Sequence, residues 1–528
     1  MEDLPLCFRS LPLLLMHIFI YIYIRIFFAI DNILCKLIDL IYGGGVAGVS
    51  MGYQGLLSNL LVYLIKQYHI NNADATQILS VVNGCIQFAS ILCAVVADAI
   101  GCFYVVYVAV VASFLSSFLF VLTSAIPSLS PPSCALGPCE APAGGQLSVL
   151  YFAIFLLAVG AGGTRLSSTT FGASQMDTSE GQASFFNWFG MASFTALIIG
   201  MTAIVYVEDN MGWVFGFSLC AGVCAVGVLV FHLGIPYYRP SECQDQNPFL
   251  TLLRSLGRKI GRKTQKTYES LSHYHGLEGA ASETLSQFES SIDQHWLTET
   301  EEDQILSSII RLLPLLSTII PLGLAINIQS SLIILQAMVM DRHLGPDFLI
   351  PAASTATFTL VTVVVSIPFL EGIVYKKWHI TPLQRIGISH ALVFLAFACT
   401  AIIESIRLAS LDGPGGAMSV LWLVPPLLLV GLAEAFAFPS QLLFYFQEFP
   451  ESLRNSSAGV TALMTGIGCY LSTTVVAVIR RATDWWQDDT DQSRLDNVYW
   501  VIAAIELLNF GYFLLCAVLY KSRGKARI

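Results

Sequence analysis

The stretch Val420–Leu443, VLWLVPPLLLVGLAEAFAFPSQLL, is apolar over almost all its length, yet carries Glu434 near its middle. A second stretch, Leu147–Leu166, LSVLYFAIFLLAVGAGGTRL, is equally apolar and ends on Arg165. About 20 such residues in a helix cross the ~30 Å hydrocarbon core of a bilayer. A charge at that depth costs at least ~2.5 kcal/mol on insertion scales, so it faces a cavity, pairs with another charge or marks a substrate path. Runs of this kind recur throughout the chain. Twelve are read as membrane helices: 43–66, 76–97, 103–126, 147–167, 187–207, 212–234, 308–335, 350–372, 387–407, 420–443, 457–479 and 498–520.

Composition supports the same reading. Charged residues make up 12% of the 528 and hydrophobic ones 55%, against ~25% charged in soluble proteins. The fold class expected is an all-α multi-pass membrane protein. The net charge of −10 lies mostly in loops and points to no nucleic-acid partner.

The remaining charge is sorted by side, which orients the chain because Lys- and Arg-rich loops stay cytosolic. The long polar segment 236–306 carries Arg239, Arg254, Arg258, Lys259, Arg262, Lys263 and Lys266, and Lys376, Lys377 and Arg385 follow on the same side. The tail adds Lys521, Arg523, Lys525 and Arg527. The opposite loop Pro127–Gln146 has neither Lys nor Arg, and Trp485–Asp496 is rich in Asp, although Arg480 and Arg481 precede it. Both termini and segment 236–306 are therefore expected in the cytosol.

The expected organisation is an N-terminal segment 1–42, a six-helix bundle 43–235, a cytosolic linker 236–306, a second bundle 307–520 and a basic tail 521–528. Within the first segment, Leu11–Ile30 is apolar enough to cross a membrane, but Arg9, Arg25 and Lys36 interrupt or flank it and no small-residue cleavage site follows. An interfacial helix, an extra span and a misplaced chain start all fit. In the linker, Arg254–Lys266 reads either as a helix lying on the leaflet or as part of a plain tether between the halves.

Thirteen cysteines are scattered, mostly in apolar runs. Cys134 and Cys139 share the outward, Pro-rich loop, where an oxidising setting allows a disulfide. The sequon at Asn455 falls on the cytosolic side and is expected to stay unmodified. The sequence contains no GxxxxGK[ST] phosphate loop and no HExxH or comparable ligand spacing, so neither an ATP-driven pump, a metal site, an enzyme nor a cofactor is indicated. Six helices, a polar linker and six helices suit a secondary carrier, in which one bundle rocks against the other around a midplane site. Arg165 and Glu434 fall in the fourth run of each half.

Several short runs now carry a resemblance. Phe171-Gly172-Ala173 with Gln175 and Asp177, Phe185-Phe186-Asn187-Trp188, Met340-Asp341-Arg342 and Pro382-Leu383-Gln384-Arg385-Ile386-Gly387 are similar to signatures of the plant nitrate and peptide transporter family (NPF), within the major facilitator superfamily. Leu421-Trp422, Pro425-Pro426, Glu434-Ala435-Phe436, Tyr445–Ser452 and Asp496–Trp500 resemble its nitrate excretion subgroup. The resemblance covers about residues 43–520.

It implies two six-helix bundles with a central site. Proton-coupled family members carry Glu-x-x-Glu-Arg on the first helix, where this chain has Val46, Val49 and Ser50, so proton coupling is expected to be weak or missing. Arg165, in Gly162-Gly163-Thr164-Arg165, takes the place of the family's lysine, and its planar fork of donors suits a trigonal oxyanion. Glu434 matches the family's glutamate on helix ten and implies a salt bridge with Arg165, opened by bound anion. The other reading is a purely structural ion pair. Asn327 stands where a nitrate-binding histidine occurs in a relative; its amide can still donate to an anion. Asn327, Ser330 and Ser331 share one helix face, with Gln329 and Gln336 on another; substrate contact and helix-to-helix bonding both fit. Asp98 resembles the superfamily's Asp-x-x-x-Gly-Arg loop, without its arginine, and Val105 replaces a threonine that is phosphorylated in some relatives.

The function expected is therefore a carrier of nitrate or chloride, exporting the anion across the plasma membrane with weak or no proton coupling. Two others remain open: a proton-coupled symporter of peptides or organic plant metabolites, and a non-transporting anion sensor or degenerate copy. The substrate-site residues expected are Arg165, Glu434, Asn327, Gln329 and Ser331.

Overall fold

A computed structural model of the chain describes residues 33–131, 142–175, 189, 192–239, 308–345, 348–411, 417–449, 457–487 and 490–525. The supposed Cys134–Cys139 disulfide, the Asn455 sequon, Asn187-Trp188, the run Leu11–Ile30 and almost all of the 236–306 linker lie outside these residues.

Twelve long helices follow in order: α1 (Ile33–Lys66), α2 (Asn72–Ile100), α3 (Cys102–Ala125), α4 (Gly144–Ser174), α5 (Ala192–Met211), α6 (Trp213–Gly234), α7 (Ser308–Val339), α8 (Ala352–Phe369), α9 (Pro382–Leu411), α10 (Val420–Glu448), α11 (Ser457–Ala482) and α12 (Leu495–Lys525). Among the described residues the only extended pairing consists of the isolated bridges Asp341–Ser419 and His343–Leu349. Eleven of the helices are long and apolar enough to cross a membrane. The exception is α1, whose Gly43–Gly45, Ser50, Gln54, Ser58 and Asn59 dilute its apolar character. It is nonetheless 34 residues long and lies in the core, with Tyr42, Val49, Leu56 and Leu61 all buried.

Helix ends differ from the apolar windows in a consistent way. Backbone hydrogen bonding continues past the last apolar residue, so α9 runs over 382–411 where the apolar window is 387–407, and α1 starts ten residues before its window. The fifth window ends at 207, but α5 continues through Glu208 to Met211. The breaks have local causes. Asn71 caps α2 by accepting from the Asp74 amide at 2.8 Å. Gly101 and Gly212 take φ of 101° and 96° between successive helices, conformations costly for any residue with a Cβ. A π-type turn lies inside α5 at Gly200–Ile204, and another, Leu370–Val374, follows Pro368 at the end of α8.

The helices form two bundles. In the first, α1 packs on α6, and α4 on α2 and α3; in the second, α9 packs on α10 and α12, α7 on α11 and α8 on α10. The bundles meet chiefly where α2 lies against α11. One buried apolar cluster runs through both, from Leu56 and Leu60 of α1 to Ile328 and Leu332 of α7. Outward faces carry large apolar side chains such as Val108, Phe155, Val226, Val365, Leu508 and Val518, as contact with lipid requires. The chain is an all-α multi-pass membrane protein.

Candidate functional site

Arg165 reaches the inter-bundle space because of the glycines beside it. A Cβ at Gly163 would lie 2.6 Å from the Ala109 methyl of α3, and one at Gly162 would lie 2.6 Å from the Ala89 methyl of α2. Only glycine permits α4 to approach both neighbours this closely. Arg165 lies two positions after Gly163, about 200° around the helix, and so points away from α3. Its side chain is exposed, whereas Thr164 and Ser167 are buried. The guanidinium charge acts on Glu434 of α10 and Cys469 of α11, both in the second bundle. Glu434 itself is half-buried. The two charges thus lie on different bundles within electrostatic reach of one another, yet among the described residues no ion pair closes between them.

The polar residues of α7 are arranged differently. Asn327 is buried, and its amide is fully engaged: it accepts from Asn83 Nδ2 at 2.9 Å and donates to Ser80 and Ser472 at 2.8 Å each. It therefore joins α2, α7 and α11. Ser330 and Ser331 donate back to the Asn327 carbonyl at 2.8 and 3.4 Å. Gln329 is buried with neither amide atom partnered. Gln336 donates to Glu404 at 2.5 Å and accepts from Tyr499 at 3.1 Å. The structure leaves Arg165 and Glu434 within electrostatic reach of each other but unpaired; Asn327, Gln329 and Ser331 are turned to helix contacts or the bundle interior.

At the end of the molecule away from Ile33 and Lys525, polar contacts join the bundles. Arg480 pairs with Asp74 at 2.7 Å and Arg342 with Asp209 at 3.6 Å. Asn72 donates to Thr490 at 3.1 Å, Ser354 donates to the Met201 carbonyl at 2.7 Å, and Tyr206 stacks on Phe348 at 5.6 Å. Deeper along the same interface, Cys85 and Tyr470 approach within 3.1 Å. These bonds hold the bundles closed at that end.

Further charges lie buried in the helices. Glu208 accepts from Asn59 at 2.9 Å and from the Cys220 thiol at 3.7 Å. Arg407 of α9 grips Glu404 with two donors at 2.8 and 2.9 Å and reaches Asp491 at 2.6 Å. His390 and Glu506 approach within 3.6 Å in the second bundle. None of these was singled out from the sequence. The signal that marks Glu434, a charge within an apolar run, was present for Glu404, Arg407 and Glu506 as well; their partners were not legible.

A family model described as "POT family" matches residues 100–492. The chain belongs to the POT family. Relatives agree: it is 37% identical to Arabidopsis thaliana Protein NRT1/PTR FAMILY 2.3 over 512 residues, covering 90% of this chain and 91% of that protein. Identity to NRT1/PTR FAMILY 2.5 and 2.7 of the same plant is 36%, with the same coverage. These matches set this POT member in the plant NRT1/PTR branch. Solved POT structures share the fold. An auto-inhibited POT family peptide transporter gives a TM-score of 0.68 at 17% identity, over 92% of this chain and 97% of that one. The POT family transporter PepTSo gives 0.68 at 16%, over 92% and 98%. This POT chain is a membrane transporter with the major facilitator fold, and not an enzyme.

Proposed function

We propose that this chain carries a small inorganic anion, nitrate or chloride, across the plasma membrane by alternating access, with its termini in the cytosol. The observation that carries the reading is Arg165: an exposed guanidinium, directed between the bundles and without an ion pair among the described residues. A permanent cation in a cleft between two helical bundles attracts an anion more strongly than one on an open surface, because low-dielectric walls focus its field. Its planar donors fit two oxygens of a trigonal anion. Glu434 opposite excludes a second anion, and in the empty carrier it is the partner that Arg165 meets as the bundles close on the cytosolic side. The bonds around Asp74, Asp209 and Asn72 then form the external closure, and anion loaded from the cytosol leaves once they open. With Val46, Val49 and Ser50 on α1 in place of carboxylates, movement follows the membrane potential more than the proton gradient, which in a cell with a negative interior favours export.

The second reading, proton-coupled carriage of a peptide or another organic solute, is favoured by one observation. Solved POT structures of the same fold are peptide transporters, and one binds 5-aminolevulinic acid. Labelled nitrate efflux from proteoliposomes, with potential clamped and pH set independently on each side, separates the two. Efflux that tracks potential and ignores the proton gradient is expected. Flux driven by the proton gradient contradicts weak coupling, and folded protein without nitrate or chloride flux contradicts the anion.

A further inference from the structure

Where the chain passes from α8 to α9, three basic side chains stand apart from any carboxylate. Elsewhere Lys66, Arg342, Arg407, Arg480 and Arg494 each meet one within 3.6 Å. Lys376, Lys377 and Arg385 meet none among the described residues, and both lysines are exposed. The sequence around them shows what they face. Val361, Val365, Phe369 and Ile373 recur at every fourth position, and all four are exposed, from 39% to 64%. In a chain that crosses a bilayer, such a stripe along one side of a helix lies against acyl chains. Lys377 comes next in the same register, and Trp378, 62% exposed, follows it. An apolar stripe that ends on Lys and Trp marks a helix leaving hydrocarbon for the headgroup layer.

The turn after Trp378 brings in the third charge. His379 takes φ of 47°, the left-handed conformation that ends a helix, and its amide donates to the Tyr375 carbonyl at 3.1 Å. Thr381 then opens α9, its amide and hydroxyl both donating to Gln384 Oε1 at 3.0 Å. One turn into α9, Arg385 returns to Tyr375. Its guanidinium carbon lies 3.4 Å from the ring centroid, and its Nε donates to the Ile380 carbonyl at 2.9 Å. Tyr375 is itself seated against Phe436 of α10, with ring centroids 6.1 Å apart. The guanidinium is thus held by a ring and a carbonyl, while its terminal nitrogens bond to no protein acceptor among the described residues. Lys377 lies 5.4 Å over the Trp378 ring. Glu371, one turn before Tyr375, is the carboxylate nearest in sequence; it is exposed and forms no ion pair among the described residues. Three positive charges against this one negative charge leave an excess of two.

We propose that Lys376, Lys377 and Arg385 bind the headgroup of an anionic phospholipid whose acyl chains lie along Phe369 and Ile373. Charge complementarity selects the headgroup. A phosphodiester without a cation of its own meets the excess positive charge, whereas a zwitterionic headgroup brings a second cation to the lysines. The stripe that runs into the basic residues selects a lipid over a soluble anion, which would leave Phe369 and Ile373 uncovered. Arg385 presents paired donors in a fixed plane to two phosphate oxygens, and the lysines act as point charges. Lys and Arg clustered at the end of a membrane helix attract anionic lipid over about a Debye length. They must therefore stand at headgroup depth, where Trp378 sets them. The site is on the lipid-facing side of the second bundle, separate from Arg165 and Glu434.

Quenching of tryptophan emission by brominated lipid, with the full chain in phosphatidylcholine nanodiscs, tests this. The share of emission due to Trp378 is the difference between wild type and Trp378→Phe. At equal low mole fraction, brominated phosphatidylglycerol should quench that share about fivefold more than brominated phosphatidylcholine, the factor that one basic residue near an anionic surface supplies. The excess should vanish when Lys376, Lys377 and Arg385 are all replaced by Gln. Equal quenching by the two lipids overturns the proposal, as does an excess that survives the triple replacement. An equal excess in the emission left in Trp378→Phe also overturns it, because Trp422 and Trp500, 53% and 45% exposed on other helices, would then report a general attraction. Loss of the excess on adding inorganic phosphate at constant ionic strength would assign the basic residues to a soluble anion instead. Should the triple variant fail to fold, Lys377→Gln decides: an undiminished excess refutes the site. No transported solute enters the readout, so the outcome is independent of the anion reading.

Discussion

Replacing Arg407 by methionine should lower the stability of the second bundle by about 3–5 kcal/mol, the cost of removing one partner from a buried ion pair. The size follows from what is left behind. Glu404 is 0% exposed, and once both Arg407 donors are gone, at 2.8 and 2.9 Å, the one hydrogen-bond donor left to it among the described residues is the Gln336 amide. Asp491 contributes little to the figure, because it is 44% exposed and exposed pairs are worth about 0–1 kcal/mol. Asp491→Asn should therefore be nearly silent. Replacing Glu404 and Arg407 together by methionine should recover most of the loss, since no charge is then stranded in an apolar interior. Thermal melting of the purified chain in one detergent, followed by tryptophan fluorescence, compares the four proteins. The expected order is wild type and Asp491→Asn highest, the double variant close below, and Arg407→Met several degrees lower. If Arg407→Met melts with wild type, or the double variant is as unstable as the single, the burial argument fails.

Gly163→Leu should cost about 1–3 kcal/mol by overpacking, since even a Cβ there lies 2.6 Å from Ala109; the same melting assay reads it. Asp209→Asn removes the contacts to Lys66 at 3.4 Å and Arg342 at 3.6 Å. It should change stability little but open the closed end, seen as a longer distance between spin labels at Met211 and Leu344. Asp341, in the turn after α7, is held below the usual carboxylate range by hydrogen bonds from the His343 ring and backbone amide. A depressed value gives stability that is present above the ordinary carboxylate pKa, about 3.9, and lost as pH falls through the lowered one. Asp341→Asn should therefore melt below wild type at neutral pH and converge with it in acid.

The fold was legible because lipid exposure writes a simple pattern. Val420–Leu443 had to be a helix, since no other structure hides its backbone in hydrocarbon. Helix ends were less legible: Glu208 stops an apolar window but not α5, as Asn59 and Cys220 satisfy its carboxylate from other helices. That Arg165 and Glu434 lie on the fourth long helix of each bundle could be read from the order of the apolar runs. The engagement of Asn327 could not, because Ser80, Asn83 and Ser472 lie 247, 244 and 145 residues away in sequence. The same distance in sequence concealed His390 and Glu506, each of which reads alone as an isolated polar residue.

Anion binding at Arg165 is tested most directly by the melting temperature of the purified chain against rising nitrate, with sulfate at matched ionic strength as control. A ligand that binds only the folded state stabilises it by about 2.7 kcal/mol at 100 times its Kd. Wild type should gain stability with nitrate and not with sulfate, Arg165→Lys should reorder the preference among nitrate, chloride and bromide, and Arg165→Gln should lose the gain. Equal nitrate stabilisation of wild type and a folded Arg165→Gln variant would contradict the assignment of Arg165 as the anion-binding cation.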